Sequence, residues 1–261
     1  MSRRHLISQG LLAALMLSCA EAAGAFTSVV VVRTAKEIAI AADSERVVMS
    51  PGGASANEIC KIRREGHIYF SLAEVIKDSA TGFDAYRTAS DAAGGAASVQ
   101  DAADAFQRAI NPYLVPTLKS VRQNYPAYYQ ATIHNGSLLD AMFFGVEQRV
   151  PIVVMMTFAV FDWNASDPLI VPTRAVHHET GAEVQILWIG SIAPIMATMR
   201  DQGWRQAIAG LPPPQAAFAL VNIALQANPE VIAPPIDVLE VKGDHARWIR
   251  RSRASKCRSF R

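Results

Sequence analysis

Three residues near the start of the sequence are of types that could together hydrolyse an amide bond. Thr27 precedes a β-branched run, Asp43 ends a second apolar segment 16 residues later, and Lys61 follows a loop rich in Gly and Ser. A threonine hydroxyl is a weak nucleophile, but a free α-amino group on the same residue, with a pKa of about 8, can take its proton. Lys61 would favour the ionised hydroxyl, and Asp43 would pair with Lys61. Taken alone, the three residues are more simply explained as a strand start and an ordinary ion pair.

The first 26 residues are typical of a secretory signal peptide. Arg3 and Arg4 precede the apolar run 11–20, and small residues follow, with Ala23 and Ala25 in the A-x-A pattern that signal peptidase reads. The apolar run has about half of the roughly 20 residues that a spanning helix needs, so no stable membrane insertion is predicted. We therefore expect export, to the periplasm or beyond it. A buried first helix is the alternative.

The chain contains three cysteines, and their number bears on the compartment. Cys19 follows a poor match to a lipobox, so a lipoprotein is the weaker alternative to a cleaved signal peptide. Removal of the signal peptide leaves Cys60 and Cys257. Two thiols are too few for a disulfide scaffold, although one bond between them is allowed in an oxidising compartment.

Composition and charge exclude several classes of protein. Hydrophobic residues make up 51% of the chain and the formal net charge is +2, which excludes a disordered chain and argues against binding to nucleic acid. The charge is unevenly distributed, because residues 27–246 carry 16 basic and 22 acidic residues whereas residues 247–261 carry seven basic residues. The segment 247–261 is interpreted as a solvated basic tail, with contact to an anionic membrane or to a neighbouring acidic subunit as the alternative.

Strand and helix patterns alternate in blocks along the mature chain. β-Branched runs bounded by turn residues predict strands at 28–33, 37–43, 67–72, 150–162, 168–176, 183–189, 236–241 and 247–249. Apolar periodicity and helix start signals predict helices at 83–93, 98–110, 192–200 and 215–226, with a further helical stretch broken at Pro112, Pro116 and Pro126. Residues 50–57 are predicted as a loop. The order fits one α+β domain over 27–246, in which two antiparallel sheets pack face to face with helices outside both.

Two further clusters are interpreted without chemistry. His177, His178 and Glu179 are predicted to form a hairpin turn rather than a metal site, because adjacent strand residues point to opposite faces and no spaced third ligand follows. A set of tyrosines in the Pro-rich helical region is interpreted as helix packing, with contact to a neighbouring subunit as the alternative. These are Tyr113, Tyr125, Tyr128 and Tyr129.

The segments TSVVVVRTAKEIAIAADS and ICKI, together with the order of elements, resemble the proteasome-type branch of the N-terminal nucleophile hydrolases. The chain looks like a distant, exported bacterial-type relative of the 20S proteasome β subunits. The resemblance extends over nearly all of the mature chain and implies the four-layer α-β-β-α sandwich of this family. It also implies that Thr27 is the nucleophile, Asp43 the orienting acid and Lys61 the charged partner. The interval of 34 residues from Thr27 to Lys61 is slightly longer than in the family.

The resemblance implies additional site residues, some of which depart from the family pattern. Where the family has Ser-Gly at the end of the third strand, this chain continues to Ala73, whose backbone N–H would hold the oxyanion. Ser191 follows Gly190 as in the Gly-Ser pair of the family. The later supporting Asp and Ser of the family align loosely with Glu230 and Ala233, so one supporting group is altered and one is lost.

The resemblance also implies how the chain matures. Cleavage after Ala25 leaves Phe26 in front of Thr27, so a second cut must free the α-amino group, and Thr27 is predicted to make that cut. The predicted function is an exported threonine-type hydrolase of amide bonds, above all peptide bonds, that uses no cofactor and no metal. The alternatives are a catalytically silent binding or assembly subunit and a hydrolase of small amides or acyl amino acids. A homo-oligomer is left open.

Overall fold

The computed structural model describes residues 27–50, 53–133, 136–178, 183–190, 193–229 and 232–251, with no side-chain description for residues 45–50, 53–58, 131 and 132. The strands are β1 (Ser28–Arg33), β2 (Glu37–Asp43), β3 (Glu45–Ser50), β4 (Gly53–Glu58), β5 (Arg63–Glu65), β6 (Ile68–Glu74), β7 (Lys77–Asp78), β8 (Phe83–Asp84), β9 (Ser137–Glu147), β10 (Val150–Phe161), β11 (Leu169–His177), β12 (Gln185–Gly190), β13 (Ile236–Lys242) and β14 (His245–Arg250). The helices are α1 (Ala85–Gly94), α2 (Val99–Asn124), α3 (Pro126–Tyr128), a π-helical turn (Tyr129–Ile133), α4 (Ala193–Met199), α5 (Gln202–Ala209) and α6 (Pro213–Ala227).

The first sheet is built around the β-branched run that follows Thr27. Its strands lie in the order β12-β1-β2-β13-β14, and every neighbouring pair is antiparallel. All six residues of β1 are buried, which explains why this strand is apolar on both faces. The register places Ser28 opposite Gly190 and Asp43 opposite Ile236. The beginning of β1 and the ends of β2 and β12 therefore lie together at one end of the sheet.

The second sheet has the strand order β11-β10-β9-β6-β5 and is also antiparallel throughout. Its centre is β9, in which the residues from Leu138 to Val146 include five aromatic and branched apolar side chains, distributed over both faces of the strand. The pairing of β6 with β9 sets Ala73 opposite Asp140. The chain is thus a mixed α and β protein with two antiparallel five-stranded sheets, as the sequence predicted.

One hydrophobic cluster takes side chains from both sheets. Val31 and Ile40 of the first sheet belong to it together with Tyr69 and Phe144 of the second. The rings of Tyr69 and Phe144 stack with their centroids 5.4 Å apart. Burial of these apolar side chains stabilises the contact between the two sheets.

Two other clusters join the sheets to helices. Phe143 of β9 packs against Phe106 of α2, with ring centroids 5.3 Å apart, inside a cluster that also includes residues of α1. Val30 of β1 belongs to a separate cluster with Leu220 of α6 and Ile195 of α4. Each sheet therefore contributes side chains to one cluster shared with the other sheet and to one cluster shared with helices.

The helix after Ser98 is longer than the sequence predicted. The Ser98 side chain accepts a hydrogen bond from the backbone N–H of Asp101, which is the predicted cap. The helix then continues through Pro112 and Pro116 to Asn124, so the prediction of a break at these prolines was wrong. Each proline removes one backbone hydrogen bond, whereas the buried apolar stripe of α2 continues past both of them, and packing of that stripe outweighs the loss.

Several elements were not predicted. Residues 50–57 were predicted as a loop, but most of them belong to the hairpin of β3 and β4. Strand β9 and helix α5 were also missed, while β14 extends from His245 to Arg250 and so includes the first residues of the segment predicted as a basic tail. None of the helices within the described ranges is long and apolar enough to cross a membrane.

Candidate active site

The backbone of Thr27 lies against the end of β12. Thr27 is partly buried and immediately precedes β1, in which Ser28 pairs with Gly190. Gly190 has a φ angle of +84°, and a methyl group placed on it would lie 1.8 Å from the carbonyl oxygen of Thr27. Position 190 therefore needs glycine, both for its backbone angle and for the close approach of the Thr27 backbone. This is a physical reason for glycine in the Gly-Ser pair noted in the sequence.

Asp43 and Lys61 form a buried ion pair beside Thr27. The Lys61 Nζ lies 2.7 Å from the Asp43 Oδ2, and the exposed fractions of the two side chains are 2% and 0%. The other carboxylate oxygen, Oδ1, accepts a hydrogen bond of 2.9 Å from the backbone N–H of Ser28. Asp43 therefore connects the Lys61 ammonium to the peptide group that follows Thr27. Asp43 and Lys61 therefore lie together, close to the predicted nucleophile.

Ala73, the predicted oxyanion donor, lies on the other side of Gly190. It is fully buried near the end of β6, and its Cβ would be 3.2 Å from a methyl group placed on Gly190. Thr27 and Ala73 thus approach the same point of β12 from the two sheets. The structure brings together four of the predicted site residues, which are Thr27, Asp43, Lys61 and Ala73.

The remaining predicted residues cannot be placed. Ser191 and Glu230, the predicted supporting residues, and Ala25 and Phe26, the predicted processing site, all lie outside the described residues. Their assignments stay predictions from the sequence.

The structure adds a carboxyl group to which the sequence assigned no role. Glu74 ends β6, directly after Ala73, and has a φ angle of +70°. Its side chain is partly exposed, but Oε2 is buried and has no hydrogen-bond partner within the described part of the chain. Burial and, to a lesser degree, the neighbouring Asp140 raise the pKa of Glu74 to about 8, although Lys61 opposes the rise. Glu74 is therefore largely protonated at neutral pH.

Asp140 is a second buried carboxyl group at this site. The Gly190 backbone N–H points at its Oδ2 from 3.4 Å, and the hydroxyls of Ser137 and Thr157 also stabilise its charge. Burial has the larger effect and raises the pKa of Asp140. Its Oδ1 is buried and has no hydrogen-bond partner among the described residues. Asp140 thus lies at the contact between β9 and the end of β12, on the far side of Gly190 from β1.

Tyr128 is a further buried titratable residue. Its side chain is 3% exposed, and its hydroxyl has no hydrogen-bond partner within the described ranges. Burial raises the pKa of Tyr128 well above its usual value, and the negative charge of Glu74 raises it as well. The sequence reading of Tyr128 as a packing residue accounts for its ring but not for this hydroxyl.

The sequence contains a signal that could have identified Asp140. The run SLLDAMFFGVE has one acidic residue, Asp140, within an apolar strand-like segment, and an isolated charge in such a segment is a candidate for a functional site. Because β9 was not predicted, Asp140 was not considered. Among the residues that the structure describes, no group of three or more His, Cys, Asp or Glu side chains has the geometry to hold a metal ion.

Comparison with known proteins gives one kind of match. No protein-family model matches the chain, and no curated protein matches it. Among solved structures, the chain is similar to the Anbu (Gly-1) mutant from Hyphomicrobium sp. strain MC1, with a TM-score of 0.48 and 14% sequence identity. The match covers 85% of this chain and 87% of that chain.

Proposed function

We propose that this chain is a threonine-type hydrolase of the N-terminal nucleophile class that cleaves amide bonds, above all peptide bonds. The observation that carries the proposal is the buried Asp43 carboxylate, which binds the Lys61 ammonium through one oxygen and the backbone N–H after Thr27 through the other. A buried ion pair of this kind is expensive to desolvate and is a weak source of stability, so its position beside a partly exposed threonine favours a role in chemistry.

The arrangement of the hydrophobic clusters supports the four-layer α-β-β-α sandwich that the sequence resemblance implies. One cluster joins the two sheets, one joins the second sheet to α1 and α2, and one joins the first sheet to α4, α5 and α6. In such a sandwich the site lies at the end of the sheets where β1 begins. The buried side chains of both sheets then hold the backbone of Thr27 in place.

The proposed reaction begins when the free α-amino group of Thr27 takes the proton of the Thr27 hydroxyl. The Oγ1 atom attacks the carbonyl carbon of the amide, and the electron pair of the C=O bond moves to the oxygen, where the backbone N–H of Ala73 would bind it. Collapse of this intermediate breaks the C–N bond, and the leaving nitrogen takes the proton from the Thr27 ammonium. Water then hydrolyses the ester on Thr27, with the α-amino group again acting as base. The Lys61 ammonium stabilises the ionised hydroxyl throughout.

Maturation and export belong to the same proposal. Signal peptidase would remove the segment ending at Ala25, and the hydroxyl of Thr27 would then cleave the bond after Phe26.

The rival function is a catalytically silent binding or assembly subunit. One feature favours it: a segment ending in Ala73 and Glu74 replaces the Ser-Gly pair of the family. The two functions predict different N-termini for the mature protein.

The test is the N-terminal sequence and amide hydrolase activity of exported wild-type protein and of Thr27→Ala and Thr27→Ser variants. We expect wild-type protein to begin at Thr27, the serine variant to retain some processing and activity, and the alanine variant to retain Phe26 and lose hydrolysis. Thr173→Ala, at an exposed position in β11, is the control that leaves both unchanged. Wild-type protein that retains Phe26, or equal hydrolysis by the alanine variant, would overturn the proposal.

A further inference from the structure

A polar cleft lies between α1, strand β5 and the hairpin of β7 and β8. Its volume is about 390 Å³, which is within the range of sites that bind small molecules. Strand β5 contributes Arg63 to its lining, and α1 contributes Arg87 and Asp91. Thr27 and Asp43 of the proposed active site do not line the cleft. The cleft is therefore a separate place at which a ligand could bind.

The guanidinium of Arg63 is held by its face and by one edge. Its Cζ lies 3.9 Å from the centroid of the Tyr86 ring, and its Nε donates a hydrogen bond of 3.4 Å to the backbone carbonyl of Cys60. The four N–H groups on the two Nη atoms have no hydrogen-bond partner in the described part of the chain. A guanidinium that stacks on a ring keeps its N–H donors in its own plane, where they can bind an oxyanion through two parallel hydrogen bonds.

Two acids at the cleft already have partners within the chain. Asp84 lies 3.4 Å from the Nζ of Lys77 and also accepts a hydrogen bond from the backbone N–H of Arg87. Glu65, which does not itself line the cleft, accepts a hydrogen bond from the hydroxyl of Ser90. Neither acid therefore has to be neutralised by the side chains of Arg63 and Arg87.

Positive charge is in excess among the remaining groups of the cleft. Arg63 and Arg87 form no ion pair with any described carboxylate, and Asp91 forms none with any described cation. Two guanidinium groups thus face one carboxylate. A single excess positive charge matches a carboxylate ligand, which carries one negative charge, better than a phosphate monoester, which carries nearly two.

We propose that this cleft binds a small carboxylate, which the guanidinium groups of Arg63 and Arg87 hold by charge-assisted hydrogen bonds. Ile76 and the ring of Tyr86 supply apolar surface for the carbon skeleton of the ligand. An N-acylated amino acid has this chemistry, with one carboxylate and one apolar side chain. The proposal does not rest on the proposed function, because no residue that holds the ligand takes part in the reaction at Thr27.

The experiment compares N-acetyl-leucine with N-acetyl-leucinamide, which has the same shape and no charge. Both are titrated into ¹⁵N-labelled Thr27→Ala protein, so that neither is hydrolysed, and NMR follows the arginine Nε–Hε signals. We expect the acid to shift the signals of Arg63 and Arg87 saturably and the amide to leave them unchanged. Loss of a hydrogen bond to a charged group should weaken binding of the acid about tenfold or more in the added variant Arg87→Gln.

Two further variants test the charge argument. Asp91→Asn removes the opposing carboxylate and should tighten binding of the acid, whereas Arg108→Gln, at an exposed position in α2, is the matched control that leaves it unchanged. A thermal melt of each variant verifies that it folds. Equal binding of the acid and the amide, no binding of either, or equal affinity in Arg87→Gln protein would overturn the proposal. Inorganic phosphate is titrated in parallel, and tighter binding of phosphate than of the acid would overturn the assignment to a carboxylate.

Discussion

The carbonyl oxygen of Thr27 lies where a side chain at Gly190 would have to begin. A methyl group on Gly190 would be 1.8 Å from that oxygen and 2.8 Å from the carbonyl carbon, and the φ angle of +84° is one that L residues rarely adopt. The atoms in conflict belong to the backbone of Thr27, directly before β1, and the full burial of β1 leaves that backbone little room to shift. Gly190 therefore determines how closely β12 approaches the residue predicted to be the nucleophile.

The Gly190→Ala substitution should destabilise the protein by about 4 kcal/mol or more, because it combines backbone strain with a clash against backbone atoms. Denaturation by urea measures this change in the free energy of unfolding. Gly243→Ala is a matched control, since Gly243 also has a positive φ angle but has no atom within 4 Å of the added methyl group. The control should lose only about 1–2 kcal/mol. Equal losses at the two positions would mean that Thr27 is not held as close to Gly190 as described.

The Asp43 and Lys61 pair should behave as one unit in a double-mutant cycle. Lys61→Met removes the ammonium and leaves the Asp43 carboxylate buried without it, and removal of one partner of a buried pair costs about 3–5 kcal/mol. Asp43→Asn should restore part of that loss in the double variant, because an amide needs no counter-ion. Chemical denaturation of the two single variants and the double variant gives the interaction energy.

The exposed pair of Lys119 and Asp167 supplies the control for this cycle. Its side chains are 44% and 83% exposed, so the same substitutions there should change the free energy of unfolding by less than about 1 kcal/mol. Strict additivity of the losses at Asp43 and Lys61 would contradict the buried pair.

The parts of the fold that depend on local patterns could be predicted from the sequence. The β-branched run of β1, the apolar run of β2 and the cap at Ser98 each depend on neighbouring residues, and the structure has all three. Asp43 could be predicted as a site residue because it ends an apolar strand at a distance from Thr27 that the resemblance makes meaningful. Its hydrogen bond to the Ser28 N–H could not be predicted, because that contact depends on the register of β1 and β2.

The parts that were missed depend on contacts between distant segments. Whether Pro112 breaks or only bends α2 depends on how strongly the apolar stripe of the helix packs on the second sheet, which a local rule for proline does not include. Glu74, Asp140 and Tyr128 belong to β6, β9 and α3, three elements separated by many residues. The pairing of β6 with β9, which sets Ala73 opposite Asp140, is a contact between distant segments, so neither spacing nor composition could indicate it.

Cys60 provides a test that is linked to the predicted export. Cys60 is disulfide-bonded, and Cys257, the other cysteine of the predicted mature chain, lies outside the described residues. Protein isolated from an oxidising compartment should therefore give a Cys60 peptide that iodoacetamide modifies only after reduction, as measured by mass spectrometry. Modification of Cys60 before reduction would show that the bond is absent and would remove this support for export.

Glu74 should make the stability of the protein depend on pH in an unusual direction. The pKa of Glu74 is raised from about 4.5 in the unfolded chain to about 8 in the folded protein, so between these values the folded state holds more protons. The contribution of Glu74 to the free energy of unfolding is then fully present below about pH 4.5 and decreases as the pH rises through 8. Glutamine resembles the protonated acid and does not titrate. Glu74→Gln protein should therefore match wild type near pH 4.5 and be more stable by about 1–4 kcal/mol at pH 9, since each unit of pKa shift corresponds to about 1.4 kcal/mol.

Urea denaturation of both proteins at several pH values measures this difference. Asp91→Asn is a suitable comparison, because Asp91 is exposed in α1, so its substitution should change the free energy of unfolding little. A difference between Glu74→Gln and wild type that is constant from pH 4.5 to 9 would mean that Glu74 is ionised normally in the folded protein.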